Sequence, residues 1–223
     1  MEPADLYWGS RSRLLELVQG LDDAALRQRL AATPPWTVTD GYRHLAGVCG
    51  DFLDGRLEGL GTDAWSAAQL ASRADRSIAE IAAEWDGRGP DIDARIRQAG
   101  DRMAFMAFDA WTHEQDIRAA VGQAGLRDHD AVPALAALAL RTLAPRYASS
   151  GAPAATIVVD GERHALGEGD AAVVLRTTPY ELLRIVFGRR SRAQVEAAGW
   201  EGPAAPVIDA LHIFDFPTRD IAD

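Results

Sequence analysis

The chain has 223 residues, 48% of them hydrophobic and 25% charged, with a net charge of −10 and a pI near 4.9. That is enough chain to bury a real core, and the balance excludes a disordered segment. The acidic excess argues against duplex nucleic acid as a partner, and the one basic run, Gly188 to Arg192, reads as a solvated turn.

The N-terminus, MEPADLYWGSR, lacks the basic region and apolar stretch of a signal peptide. No segment reaches the ~20 apolar residues of a membrane span. The single cysteine, Cys49, has no partner for an internal disulfide, so the expectation is a soluble cytoplasmic protein. Pro3 opens a helix whose apolar positions Leu6, Leu14, Leu17, Val18 and Leu21 drift along one face. A short segment, DDAALRQRL, follows, and the prolines of TPPWTV break the chain. Thr37 with Asp40 three residues on is an acidic variant of the capping box, and predicts a helix to about Leu57 that contains His44. Helix continues through SAAQLASRADRSIAEIAAEW and is broken at GRGPD. The longest clean helix is expected from about Asp101 to Val121, stopped by GQAG, and another from about Ala131 to Ala148.

After the small-residue linker YASSGAPAA the pattern changes. ATIVVDGERHAL is a hairpin signature with an Asp-Gly turn, and AAVVLRTT is a further strand. Thr178 caps a helix with Pro179 at its first position, and two shorter helical segments lie around Arg192 and Ile208. The expected fold class is α+β, with an all-helical domain over residues 1–149 and a small α+β domain over 150–223.

Of the five histidines, His44 and His113 fall inside strongly expected helices, while His129, His164 and His212 do not. Asp109 and His113 stand four apart, so both point to one helix face with Cβ atoms about 6 Å apart. Taken alone, such a pair reads more readily as a surface hydrogen bond than as a metal site, and His44 as a buried histidine bonded to a carbonyl. In a helical bundle, however, two ligands on one helix and a third on a facing helix make a three-ligand set with an open position. Glu114 is a competing carboxylate turned about 100° away. Asp116 is either a residue that orients a ligand imidazole or a partner for an arginine. Asp51, seven residues after His44, shares nearly its face. Cys49 lies about 140° from His44 around the helix and reads as a small buried residue. Trp8, Trp36, Trp65, Trp85 and Trp111 read as core and interhelical anchors.

WTVTDGYRHLAG, Trp36 to Gly47, resembles the opening of the second helix in the DinB-like superfamily. FDAWTHEQDIRAAVG, Phe108 to Gly122, resembles the second metal-binding motif of its mycothiol-dependent maleylpyruvate isomerase branch. TPYELLRIVFGRRSRAQVEAAGW, Thr178 to Trp200, is similar to that branch's C-terminal domain. The resemblance covers nearly the whole chain in order. It implies a DinB-like four-helix bundle over 1–149 followed by a small α+β C-terminal domain of the maleylpyruvate isomerase type. It further implies a divalent metal, zinc by preference, on His44, Asp109 and His113, with mycothiol as the cofactor thiol. One departure is visible: the branch has glutamate where this chain has Asp109, one methylene shorter, so the metal must lie nearer that helix.

The implied function is a metalloenzyme whose cofactor thiolate acts on a small electrophile, by cis–trans isomerisation of the maleylpyruvate type or a related reaction. The alternatives are a mycothiol S-transferase of detoxification or natural-product biosynthesis, and a non-catalytic DinB-like module that binds a small ligand. Arg189, Arg190 and Arg219 are the candidates to hold substrate carboxylates. The expected partners are the small thiol and its substrate, with neither nucleic acid nor membrane, in a monomer or homodimer.

Overall fold

Pro3 sits in the first turn of helix α1 (Pro3–Val18), where its missing N–H leaves no bond unmade. Asp22 caps the single turn α2 (Asp23–Leu26) by accepting from the Ala25 N–H at 2.8 Å. Residues 28–38 then close into a clip: the Leu30 N–H donates to the Trp36 carbonyl at 3.0 Å and the Val38 N–H to the Gln28 carbonyl at 2.9 Å. At its exit Thr37 and Asp40 form the expected capping box and start α3 (Val38–Asp54). The helix stops at Gly55 in the left-handed conformation, slightly before the expected Leu57.

Thr62 and Ser77 cap α4 (Asp63–Ala71) and α5 (Ile78–Gly87). The expected break at GRGPD is a kink rather than a loop, since only Arg88 separates α5 from α6 (Gly89–Ala99). Pro90 has no N–H to give the Asp86 carbonyl. Arg11 of α1 supplies the missing donor, reaching that carbonyl at 2.8 Å and the Trp85 carbonyl at 3.1 Å. The long helix expected from Asp101 opens as a 3₁₀ turn (Gly100–Met103) and becomes α7 (Ala104–Ala120).

Four rods, namely α1, α3, the kinked α5–α6 pair and α7, make a helical bundle in which α1 packs on α7 and α6, and α3 packs on α4, α5 and α7. Leu6, Leu14, Tyr42, Trp85, Trp111 and Ile117 fill its centre. Each such side chain contributes roughly 1.5–3 kcal/mol on burial. The Tyr42 hydroxyl donates to the Leu14 carbonyl and the Trp85 indole N–H to the Tyr7 hydroxyl, so the polar ends are satisfied. Every residue of α7 from Ala110 to Ile117 is buried. That helix is enclosed on all sides, so burial gives no cue to which of its polar residues share a face.

The computed structural model describes residues 1–223 and divides into two compact units, 1–125 and 126–223. The division falls earlier than the boundary expected from composition at 149/150. The reason is α8 (Ala131–Ser149), which the sequence pattern grouped with the preceding helices but which packs against strand and helix that follow it. In the second unit β1 (Ala155–Val159) and β2 (Glu162–Leu166) form the expected hairpin, with Asp160 and Gly161 at φ +48° and +90° in the turn. β3 (Val173–Thr177) pairs parallel with β1 and β4 (Gly199–Glu201) antiparallel with β3, giving the order β2-β1-β3-β4. β1, central and buried at all five positions, carries the continuous apolar run that such a strand needs. The sequence reading missed β4, a three-residue edge strand too short to show a period. Thr178 caps α9 (Pro179–Val186) as expected, and α10 (Arg192–Glu196) and α11 (Ala205–Leu211) are the two short segments. α8 lies against α9 and β2. No helix of the chain is long and apolar enough to cross a membrane.

Candidate metal centre

His44 stands on α3 and Asp109 and His113 on α7, and the packing of the two helices brings all three together. Both imidazoles turn Nε2 toward the same carboxylate oxygen: Asp109 Oδ1 is 3.4 Å from His44 Nε2 and 3.6 Å from His113 Nε2. Charge-assisted hydrogen bonds are shorter, about 2.7–2.9 Å. Ligand atoms about 2.0–2.1 Å from one tetrahedral zinc ion stand about 3.3 Å from each other. The two edges that include Asp109 therefore have the spacing of a coordination polyhedron. The ligand atoms of all three residues lie within 4.8 Å of one another. Two neutral imidazoles and one carboxylate also form the donor set that suits zinc and similar divalent ions. His44 and His113 are buried and Asp109 is half-buried.

The surroundings hold the rings in place. Trp36 stacks on His113 with centroids 5.8 Å apart and planes 19° from parallel, and tilts over His44 at 4.9 Å. Trp65 meets His44 edge-on at 6.4 Å. These two tryptophans wall the centre, whereas the sequence reading placed them with the core anchors. Trp85 and Trp111 are buried anchors, and Trp8 is 41% exposed. On its far side, His44 Nδ1 lies 2.8 Å from Gln69 Oε1, Gln69 Nε2 donates to Asp51 Oδ2 at 2.9 Å, and Arg56 Nε donates to Asp51 Oδ1 at 2.8 Å. Asp51, noted for its helical angle, thus meets His44 through Gln69. No motif pointed to Gln69, because it sits on another helix.

The remaining candidates sort by their contacts. Glu114 turns away and takes Arg13 with both oxygens at 2.7 Å, and Arg118 at 3.1 Å. Asp116 Oδ2 is 3.8 Å from His113 Nδ1, beyond hydrogen-bond reach, as the ring sits now. Cys49 is buried beside Tyr7, and burial pushes its thiol up to about 11, so it stays protonated at neutral pH. In the second unit Arg190 divides its guanidinium between Glu181 and Asp223, at 2.8 Å each. Burial works against its charge, but those carboxylates outweigh it and raise its pKa. Arg189 donates to the Phe187 carbonyl at 2.7 Å and lies over the Phe214 ring. Arg219 is exposed.

Known structures share this architecture. The chain is similar to a solved structure of the mycothiol-dependent maleylpyruvate isomerase carrying a histidine-to-alanine mutation, with a TM-score of 0.56 and 12% identity over 84% of this chain and 88% of that one. The isomerase without that mutation gives 0.52 and 11% over the same shares. At these identities the likeness is one of fold, α+β with a DinB-like bundle. No curated protein matches the chain in sequence. A sequence model of the DinB superfamily matches residues 8–124, more than half of the chain. That span takes in the helices that carry His44, Asp109 and His113 together with the capped turn that starts α3, and the chain belongs to the DinB superfamily.

Proposed function

We propose that the protein is a metal-dependent enzyme that uses the thiol of mycothiol on a small electrophilic substrate. The reaction is cis–trans isomerisation of the maleylpyruvate type, or transfer of the thiol to an acceptor. The observation that carries this reading is the convergence of His44 Nε2, His113 Nε2 and Asp109 Oδ1 at coordination spacing in the bundle interior. Three protein donors leave a position for an exogenous ligand. A divalent ion held there, zinc by preference, would supply the positive charge that makes a small-molecule thiol more acidic. The residues of the chain do the rest. His44 and His113 bind as neutral donors and Asp109 supplies one negative charge. Trp36 and Trp65 pack against the imidazoles and restrain their planes. Cys49, buried and protonated, offers no competing sulfur, which is why the thiol is assigned to a small molecule.

The arginines belong to the same proposal. A substrate carboxylate is assigned to Arg189, Arg190 or Arg219, with Arg219 first, because it is exposed while Arg190 is engaged by Glu181 and Asp223. The test begins with metal analysis of the purified protein, with about one ion per chain expected. Mycothiol added to the cobalt form is expected to produce a thiolate-to-metal charge-transfer band. Turnover of maleylpyruvate with mycothiol regenerated identifies an isomerase, and stoichiometric loss of the thiol with a generic electrophile identifies a transferase. A cobalt spectrum that ignores mycothiol, with no turnover of either substrate, leaves a non-catalytic module and overturns the proposal.

A further inference from the structure

We infer that Asp51 and Gln69 are positioning residues that hold His44 in a single tautomer, with the proton on Nδ1 and the Nε2 lone pair turned to the metal. The inference rests on the metal-centre reading above and assigns the device that presents its first ligand. The two ends of a glutamine amide have the same shape, so contacts decide which way it faces. Asp51 decides it here: an ionised carboxylate only accepts, so Asp51 Oδ2 takes the NH₂ end of Gln69 at 2.9 Å. Gln69 Oε1, which also only accepts, then faces His44 Nδ1 at 2.8 Å. That nitrogen must carry the hydrogen, and Nε2 is left as the donor atom facing Asp109 Oδ1. Arg56 donates to the other Asp51 oxygen at 2.8 Å, so both oxygens of that carboxylate act as acceptors.

Burial makes the relay obligatory. Gln69 is 2% exposed, Asp51 7% and His44 6%, so water does not replace these bonds when one is lost. Gln69 is also the one buried residue of α4, a helix otherwise exposed or half-exposed. A short helix that docks through a glutamine rather than an apolar side chain is held for the hydrogen bonds that glutamine makes. The backbone of α3 is shaped to receive it. His44, Gly47 and Asp51 fall at i, i+3 and i+7, one face of the helix. A Cβ on Gly47 would lie 2.6 Å from Gln69 Cβ and 2.7 Å from its Cγ, so only glycine lets Gln69 approach between the other two.

Two variants strike the relay from opposite sides: Gln69→Leu removes its polar group, and Gly47→Ala leaves every polar group in place but displaces Gln69. In the metal-free protein, long-range nitrogen–proton NMR is expected to show His44 protonated at Nδ1 in wild type and to lose that preference in both variants. Zinc affinity, measured by competition with a chelator, is expected to fall about 10- to 100-fold in each, with helix content by circular dichroism retained. Asp51→Asn, which keeps an acceptor but no longer dictates how the amide faces, is expected to lose less than Asp51→Leu. His44→Ala is the control for the metal centre. If it loses zinc while Gln69→Leu and Gly47→Ala keep wild-type affinity and the Nδ1 tautomer, the relay is wrong and the metal centre stands. If His44→Ala keeps its zinc, the metal centre itself is wrong, and the role given to the relay falls with it.

Discussion

Helix α7 carries two buried polar clusters on different faces, and they are built on opposite principles. On one face Glu114 is fully buried and tied to Arg13 and Arg118 at 2.7–3.1 Å, with charges paired inside the protein. On the other, Asp109 and the imidazoles of His44 and His113 converge at 3.4 and 3.6 Å, too long for strong charge-assisted bonds and close to the spacing imposed by a shared ion. The first cluster is complete as folded and stabilises the bundle. The second is arranged around a point between its members, which is what a ligand set requires. One helix thus carries an ion-pair cluster and a candidate metal centre at different angles around its axis.

That contrast makes its boldest claim in the loss of metal. His113→Ala and Asp109→Ala are each expected to drop zinc from about one equivalent to near none, with the metal-free fold retained, as read by elemental analysis and circular dichroism. Glu114→Ala is expected to do the reverse. It removes the buried carboxylate that Arg13 and Arg118 share and lowers unfolding free energy by about 3 kcal/mol, the low end for a broken buried pair because both arginines keep some water. Its zinc content is expected to stay near wild type. Denaturant titration beside metal analysis decides the matter, and equal stability losses in the Glu114 and His113 variants would erase the distinction between the faces.

A smaller effect concerns Cys49, a buried group that belongs to neither cluster. Its thiol ionises near 9.0 in the unfolded chain and, through burial, near 11 in the folded one. The folded state therefore holds its proton longer, and a stability contribution on the order of 2 kcal/mol is fully present below pH 9 and lost as pH rises toward 11. Tyr7 and Tyr42, also raised by burial, add to the decline only above pH 10. Stability measured between pH 8 and 10 is expected to fall in wild type and to stay flatter in Cys49→Ala, while thiol-dependent activity at pH 7 is unchanged by the substitution. Loss of that activity with metal retained would instead make Cys49 the nucleophile.

The least demanding test separates the two units. Limited proteolysis is expected to cut within 122–130, the mostly exposed stretch between α7 and α8, in preference to the small-residue segment after Ser149. Preferred cutting at 149–155 would restore the boundary that composition suggested. In that segment the Tyr147 hydroxyl holds the Pro153 carbonyl at 2.7 Å, which ties the chain down where it reads as loose.

Much of this was written in the sequence, and the reasons are local. Caps at Thr37 and Thr178, the Asp-Gly hairpin turn and the i, i+4 relation of Asp109 to His113 involve neighbours a few residues apart, so backbone geometry alone dictates them. Resemblance then singled out His44 as the partner on a facing helix, which spacing could only nominate. What tertiary structure decided lies farther along the chain. The parallel pairing of β3 with β1 and the attachment of α8 to the sheet depend on which surfaces meet, and no run of residues encodes that by itself. The same holds at the centre. Trp36 and Trp65 changed from core anchors to walls around the imidazoles. Gln69, 25 residues from His44 and on another helix, reaches its ring because Gly47 leaves the space. The candidate ligands follow from residue type, helical period and resemblance, all of which belong to the sequence. Ligand orientation follows from buried hydrogen bonds between helices, and only the packed fold brings those atoms within reach.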